Sequence, residues 1–156
     1  MIKEFKGKYR FLSNFYLSPF SIRGIQFITV EHFYQAMKTN DYDDFTRIVT
    51  AETPGEAKKL GRNVMLREDW EHIKEDVMFT GLEAKFNQNP DLKQMLIDIG
   101  SQVLQEGNYW NDKYWGIDLK TGKGKNRLGI LLMRLGDKYI MEDNINGKIK
   151  KLYPTT

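Results

Sequence analysis

A carboxylate and an amine stand seven positions apart in the segment Val30–Lys38, where the apolar spacing predicts a helix. Glu31 and Lys38 would then lie on one face of that helix, beside the apolar side chains that anchor it. Partial burial at such a border favours a protonated carboxyl and a neutral amine, which are the forms used in acid–base and nucleophilic chemistry. A solvated polar stripe is the ordinary alternative, and the spacing alone favours it.

A second candidate site is the segment 122–129, which reads Gly-Lys-Gly-Lys-Asn-Arg-Leu-Gly. Its first two glycines let backbone N–H groups approach a ligand closely, and its three cations add positive charge. A helix predicted to begin after Asn126 adds its N-terminus. This combination is typical of phosphate binding, with Lys125 and Asn126 as candidate ligands, although the glycine spacing is not that of a Walker loop. A flexible basic loop is the alternative.

Aromatic and small polar side chains supply further candidates for substrate contact. Trp70, Trp110 and Trp115 each offer a ring that can stack on a base, although a buried tryptophan more often belongs to the core. Trp115 lies in a polar loop predicted for residues 107–125, which makes it the most exposed candidate. The run Ser13-Asn14-Phe15 forms either a turn between strands or the wall of a binding cleft.

Composition limits the class of protein. The 156 residues suit one domain, and 40% apolar residues supply a core without help from a metal or a disulfide. Cysteine is absent, which excludes disulfides, thiolate zinc sites and cysteine nucleophiles. Neither His32 nor His72 has a recognisable ligand partner in the sequence, so no metal and no cofactor are predicted.

Charge and hydropathy patterns indicate a cytoplasmic protein without a membrane partner. No apolar run approaches the roughly 20 residues of a membrane span, and the first residues lack the apolar region of a signal peptide. The net charge of +3 is too small to indicate binding to duplex nucleic acid.

The helices and strands that must position these side chains can also be predicted from the sequence. Together they indicate a helix-rich α+β fold, in a single domain with a small antiparallel sheet. A hairpin is predicted around Gly24, between residues 20–23 and 25–28. Helices are predicted at 30–38, at 43–49, from Pro54 to about Gly61, from Asp69, from Pro90, and from Asn126 to about Tyr139. A short strand is predicted at 102–105. The domain core is expected at about 5–140, followed by a solvated basic tail at 141–156.

Seven short motifs, taken in order, resemble those of the NADAR family. They run from about Phe11 to Leu135, and although each is weak alone, the ordered set is highly specific. The motifs are Phe11-Leu-Ser-Asn-Phe15, Val30-Glu-His-Phe-Tyr-Gln-Ala-Met-Lys38, Gly61-Arg62, Trp70 with Lys74 and Met78, Lys85-Phe86, Tyr114-Trp115-Gly116, and Gly124-Lys-Asn-Arg-Leu-Gly129.

This resemblance implies an N-glycosidase that hydrolyses the bond between a base and a ribose in a phosphorylated nucleotide-like substrate. Members of the family are associated with phosphoribosylamino-pyrimidine intermediates of riboflavin synthesis, and others remove ADP-ribose from guanine, including guanine in nucleic acid. By position, Glu31 matches the family's essential glutamate and Lys38 matches the lysine two turns later, whereas Trp70 and Trp115 match tryptophans near the substrate.

The resemblance also bears on the remaining site residues. Some members of the family tend to place an acid directly after the Trp-Gly pair, where this chain has Ile117 and then Asp118. Asp118 is therefore the candidate for the second carboxylate. Arg62, in the Gly61-Arg62 motif, joins Lys125 and Asn126 as a candidate phosphate ligand.

In the expected mechanism, Glu31 stabilises positive charge on the ribose or activates water, and Asp118 assists. Lys38 either orients Glu31 and donates a proton, or attacks an opened ribose as a neutral amine and forms an imine. One alternative function is a non-catalytic module that binds ADP-ribose or another nucleotide. Another is a small RNA-binding protein, which leaves the pairing of Glu31 with Lys38 unexplained. The sequence does not indicate the oligomeric state.

Overall fold

The computed structural model describes residues 1–155, and within them it has six α-helices, one 3-10 helix and two two-stranded sheets. The prediction of a helix-rich α+β fold with a small antiparallel sheet is confirmed. The chain divides into a central unit, Arg10–Pro90, and a terminal unit that combines Met1–Tyr9 with the segment from Asp91 onward. The organisation as a single domain stays a prediction. Over the described residues, no helix is long and apolar enough to cross a membrane.

The antiparallel sheet of the central unit is a hairpin of β1 (Phe20–Ile22) and β2 (Ile25–Phe27). Its turn contains Gly24 with a φ of 81°, a backbone conformation that glycine adopts without steric cost. Phe20 and Phe27 are paired across the strands and their rings stack at 5.9 Å. The ring of Phe27 also meets Phe33 edge-on at 5.1 Å, so the hairpin covers one side of the helix that carries Phe33.

That helix, α1 (Val30–Ala36), is the centre of the unit, since all of its residues are buried. It begins at Thr29, whose hydroxyl oxygen accepts a hydrogen bond from the His32 amide at 3.1 Å. The His32 ring donates from Nε2 to the carbonyl oxygen of Ala51 at 2.9 Å, and burial lowers its pKa, so the imidazole is a neutral structural group. The helix ends at Ala36, two positions before the predicted end at Lys38.

Three further helices surround α1: α2 (Tyr42–Val49), α3 (Pro54–Gly61) and α4 (Trp70–Gln88). The predicted start of α3 is confirmed, because the Thr53 hydroxyl accepts from the Glu56 amide and the Glu56 carboxylate accepts from the Glu52 amide. Gly81 lets α4 approach α1 closely, since a Cβ at this position would lie 2.9 Å from the Phe33 ring.

A buried lysine ties α4 to the chain segment that precedes the hairpin. Lys85 is fully buried, and its Nζ donates to the carbonyl oxygens of Phe11 at 2.6 Å and Ser13 at 3.1 Å. Burial lowers the pKa of Lys85 to about 7. The amine therefore fixes the position of the loop that begins at Ser13.

The terminal unit contains α5 (Pro90–Ile99), β3 (Gly107–Asn108), β4 (Ile117–Asp118) and α6 (Arg127–Leu152). The two strands pair in parallel, which the sequence did not predict. The strand predicted at 102–105 is wrong, because this segment forms only an isolated bridge between Leu104 and Ile2. Helix α5 ends just before Gly100, whose φ of 70° is a conformation that glycine adopts readily at the end of a helix.

The length of α6 differs from the prediction. The helix continues through Leu152 instead of ending near Tyr139, so residues predicted as a tail form its last turns. Asn126 precedes the helix as predicted, but its φ is 51° and its side chain makes no cap hydrogen bond. The Asn126 side chain instead accepts from the Glu106 amide and donates to the Leu104 carbonyl.

Replacing Lys85 with methionine removes the buried amine but keeps an unbranched side chain. The unfolded chain binds the Lys85 proton more tightly than the folded chain, because the pKa is about 7 when folded and 10.5 in the reference state. We therefore expect the free energy of unfolding of the wild type to rise relative to Lys85→Met as pH increases from about 7 to about 10.

Urea denaturation at about pH 6, 8 and 10 measures this difference. Lys59→Met, at an exposed position of α3, is the matched control and should follow the wild type at every pH. A constant difference between wild type and Lys85→Met across this range would contradict the assignment.

Candidate active site

Glu31 lies on α1 with 7% of its surface exposed, so its carboxylate sits inside the central unit. Its backbone amide donates to the carbonyl oxygen of Asn14 at 3.1 Å. The side-chain amide of Gln35, one turn later, donates from Nε2 to Glu31 Oε1 at 2.7 Å. One carboxylate oxygen is thus held by the protein in a defined position.

Gln35 is itself held by its surroundings, since only 4% of its surface is exposed. A Cβ at Gly61 would overlap the Gln35 side-chain oxygen, so glycine is required where α3 meets α1. Rotation of the Gln35 side-chain amide by 180° would place its oxygen against the Glu31 carboxylate, which is unfavourable. The sequence interpretation did not assign Gln35 to the site, although its spacing of four residues from Glu31 is a signal for such a contact.

Lys38 follows α1 and is half-buried. Its backbone oxygen accepts from the Arg67 amide at 2.9 Å, and its Nζ lies 5.4 Å from the centroid of the Tyr34 ring. Burial is the main cause of a lowered pKa for Lys38. The positive charges of Lys58 and Arg62 lower this pKa further, whereas the Glu31 carboxylate acts in the opposite direction.

Three cations and one carboxylate therefore share one region of the central unit. Lys58, on α3, is half-buried and its Nζ lies 5.8 Å from the centroid of the Phe15 ring. Arg62 is exposed at the C-terminal end of the same helix. The sequence interpretation missed Lys58, because no local pattern indicates that α3 brings this residue to Lys38.

The predicted run Ser13-Asn14-Phe15 borders the same region. The Ser13 hydroxyl oxygen accepts from the Phe15 amide at 3.1 Å, and Phe15 is 43% exposed. Asn14 is buried beside Met78, with 3.4 Å between Nδ2 and the sulfur. Its Oδ1 is buried and has no hydrogen-bond partner among the described residues. The structure brings this run to the backbone of Glu31 through the carbonyl of Asn14.

Trp70 occupies a different environment from the one expected of a stacking platform. Its side chain is 4% exposed and its ring meets Tyr34 edge-on at 5.1 Å. This burial favours the alternative in which Trp70 belongs to the core. There it supports the Tyr34 ring, which lies against Lys38. Stacking of Trp70 on a substrate stays a prediction.

The remaining predicted site residues belong to the terminal unit. Trp115 is half-buried, and its backbone amide donates to Asp112 Oδ1 at 2.9 Å. Trp110 is 60% exposed, so the expectation that Trp115 is the most exposed tryptophan is wrong. Lys125 is exposed, with its Nζ 5.5 Å from the centroid of the Tyr114 ring.

Asp118 has a structural role in the loop after β4. It is 5% exposed, its Oδ1 accepts from the Lys120 amide at 3.1 Å, and its Oδ2 accepts from the Thr121 hydroxyl at 3.2 Å. These contacts stabilise the turn before Gly124. A Cβ at Gly124 would overlap the carbonyl oxygen of Gly116, so this glycine serves internal packing. The roles of Asp118 as second carboxylate and of Asn126 as phosphate ligand stay predictions.

Two other findings delimit the site. A depression of about 240 Å³ between α2 and α3 contains none of the predicted site residues; it is lined by Asp44, Arg47, Ile48, Leu60, Asn63 and Val64. Across residues 1–155, no group of three histidine, aspartate or glutamate side chains is arranged to hold a metal ion.

Comparison with known proteins gives the class of the chain. Residues 2–139 match the family model of the NADAR domain. The chain is 41% identical over 132 residues to the N-glycosidase YbiA of Shigella flexneri serotype 5b, covering 83% of this chain and 81% of the relative. It is similar to the NMR structure of the Escherichia coli protein YbiA, with a TM-score of 0.81, 36% identity, and coverage of 92% and 89% of the two chains.

A further relative is the chloroplastic riboflavin biosynthesis protein PYRR of Arabidopsis thaliana, which is 34% identical over 138 residues; these cover 85% of this chain and 22% of that protein. The chain therefore belongs to the NADAR family. The N-glycosidases among its relatives confirm the prediction that the chain is a hydrolase acting on N-glycosyl bonds.

Gln35→Met tests whether the hydrogen bond to Glu31 matters for catalysis. Methionine has a similar length but cannot donate, and little stability is lost with Oε1, which has no partner among the described residues. We expect kcat to fall between about ten-fold and a hundred-fold with KM unchanged, because the carboxylate loses its fixed orientation. Steady-state kinetics on an N-glycoside substrate measures both parameters.

The matched control is Gln26→Met, at an exposed position of β2, which should keep wild-type kinetics. Thermal unfolding of both variants checks that they fold. A Gln35→Met enzyme with wild-type kcat would show that Glu31 is not oriented through this bond.

Proposed function

We propose that the chain hydrolyses the bond between a base and a ribose in a phosphorylated nucleotide-like substrate, with Glu31 and Lys38 as the catalytic residues. The observation that carries this proposal is the pairing of a buried, oriented carboxylate with a half-buried amine of lowered pKa. Ionisable groups that are perturbed by burial and by specific neighbouring charges are concentrated at active sites.

Cleavage of an N-glycoside develops positive charge on the ribose and negative charge on the departing base. A carboxylate near the anomeric carbon stabilises the first, and the Glu31 carboxylate is held in position by the hydrogen bond that its Oε1 accepts from Gln35. Glu31 therefore acts as an electrostatic stabiliser or as the base that activates water. Asp118 is proposed as a second carboxylate that assists Glu31. We give it this lesser role because both of its oxygens already accept hydrogen bonds within its own loop.

For Lys38, the lowered pKa supports the route through a neutral amine. The nitrogen adds to C1′ of the ribose, the bond from C1′ to the base breaks, and the base leaves with a proton. The C1′–O4′ bond of the resulting glycosylamine then breaks as O4′ takes up the remaining proton of the Lys38 nitrogen, so the opened ribose stays attached to Lys38 as an imine. Water hydrolyses this imine, which releases the sugar phosphate and restores the amine.

The cations beside Lys38 support a phosphorylated substrate. Lys58 and Arg62 lie close enough to influence the Lys38 amine, and a phosphate on the substrate would partly neutralise them. Two such cations suit a single phosphate group, as in a phosphoribosylamino-pyrimidine. The name of the Arabidopsis relative, a riboflavin biosynthesis protein, points to the same class. ADP-ribosylated guanine, free or in nucleic acid, is the second substrate class to test.

Phe15 and Trp115 are the proposed aromatic contacts of the substrate, and Ser13 and Asn14 its polar contacts. Phe15 is exposed, and the buried Asn14 Oδ1 is an acceptor without a partner among the described residues. A ligand donor that reaches Asn14 would satisfy this oxygen. Lys125 and Asn126 complete the proposal as further phosphate ligands.

Product analysis tests the function. The protein is incubated with a phosphoribosylamino-pyrimidine and, separately, with ADP-ribosylated guanine, and the released base is identified by mass spectrometry. Glu31→Gln should lower the rate by about a hundred-fold or more while substrate affinity is kept, because the neutral amide cannot stabilise the developing charge. Binding without release of base from either substrate would instead support a nucleotide-binding module. A Glu31→Gln variant with the wild-type rate would remove Glu31 from the mechanism.

Borohydride trapping tests the role of Lys38. Reduction during turnover should leave the sugar phosphate covalently attached to Lys38, and trapping should increase with pH as the amine loses its proton. Peptide mass spectrometry locates the adduct. Lys38→Met should give none, whereas Lys59→Met, which changes an exposed lysine of α3, should give as much as the wild type. Substrate consumption without any adduct would exclude the imine and leave Lys38 as a proton donor.

A further inference from the structure

One face of α4 holds residues 11–15 at three points. Lys85 Nζ donates to two carbonyl oxygens of this segment. Seven positions earlier on the helix, the Met78 sulfur accepts from Asn14 Nδ2 at 3.4 Å. Residues seven positions apart lie on the same side of a helix, and both side chains are buried. The position of the segment is therefore set from inside the central unit.

The same segment stabilises the start of α1 at Glu31. The first amides of a helix have no partner within the helix, and the Glu31 amide donates instead to the carbonyl oxygen of Asn14. The next amide, that of His32, donates to the Thr29 hydroxyl, which lies outside the segment. The backbone of Glu31 is thus tied to the residues that Lys85 holds, whereas the His32 amide is not.

The Lys85 amine is enclosed by the protein. It is fully buried, and the Tyr16 and Phe86 rings lie around it, with their centroids 5.9 Å and 5.0 Å from Nζ. A group enclosed in this way does not touch a substrate. Any effect of Lys85 on a reaction must therefore pass through the segment to which it donates.

We infer that Lys85 is a positioning residue for the reaction: through residues 11–15 it fixes the place of Glu31 and of the substrate contacts proposed in the same segment. Lys85 can serve the reaction only if Glu31 takes part in it, so the inference rests on the proposed function. A shift of about 1 Å at a reacting group can lower a rate by about a hundred-fold, so an enclosed anchor can influence kcat without touching the substrate.

Amide hydrogen exchange tests the positioning step without a substrate. In Lys85→Met, the exchange rate of the Glu31 amide relative to that of His32 should rise at least about ten-fold, because only the first depends on the segment. A loss of global stability alone would raise both rates equally. Gln88→Met is the matched control, since exposed Gln88 bonds α4 to Ser21 of the hairpin instead, and this variant should leave the ratio unchanged.

Steady-state kinetics tests the consequence for the reaction, on whichever of the two substrate classes the wild type cleaves. Lys85→Met should lower kcat about ten-fold, but less than about two-fold in a Glu31→Gln background, where no carboxylate remains to be positioned. Gln88→Met should keep the wild-type kcat. Lys85→Gln retains N–H donors on a shorter side chain, so it should recover part of the lost rate. It also replaces Lys85→Met in both experiments if the methionine variant does not fold.

An unchanged ratio of exchange rates, or an equal loss of kcat in the two backgrounds, would overturn the inference and leave Lys85 with a purely structural role. Release of no base by the wild type would instead contradict the proposed function. The exchange rates would in that case still decide whether Lys85 positions Glu31.

Discussion

The hydrogen bond from Gln35 to Glu31 depends on burial of both side chains within the central unit, and much of that unit serves to maintain it. A buried carboxylate is costly unless it is hydrogen-bonded, so α1 supplies a donor one turn away. The donor, Gln35, packs directly against Gly61 on α3, and any side chain at position 61 would displace it. The close packing of α4 at Gly81 completes the enclosure of α1. The geometry of the carboxylate is therefore a property of three packed helices.

Two lysines of the central unit have lowered pKa values for different reasons. The difference distinguishes a structural lysine from a candidate catalytic lysine. Lys85 is fully buried, bonds to two carbonyl oxygens, and burial is the cause of its shift. Lys38 is only half-buried, and neighbouring charges of both signs act on it as well. An amine that is reached by solvent and adjusted by nearby charges suits a reaction with a substrate, whereas an enclosed amine suits a loop anchor.

The elements with strong local signals were predicted correctly, whereas features with weak local signals, or that depend on distant packing, were not. The cap at Thr53 and the turn at Gly24 are encoded by a few adjacent residues, and both are present. The extension of α6 was missed because asparagines and a glycine lower helix propensity there. Within the candidate site, Glu31 and Lys38 were predicted from their spacing and the family motif. Lys58 was not, since its contribution arises only when α3 packs against α1.

Gly61 and Lys58 stand three positions apart on α3, which has a consequence for how the protein can evolve. One element sets the orientation of the acid through its glycine and influences the amine through its lysine. A displacement of α3 would change both groups together, so substitutions in the contact between α1 and α3 should show strong epistasis with substitutions at Glu31 and Lys38. Substitutions at exposed positions such as Phe15 leave the packing of α3 unchanged, so we expect them to be tolerated more easily than substitutions in α3 itself.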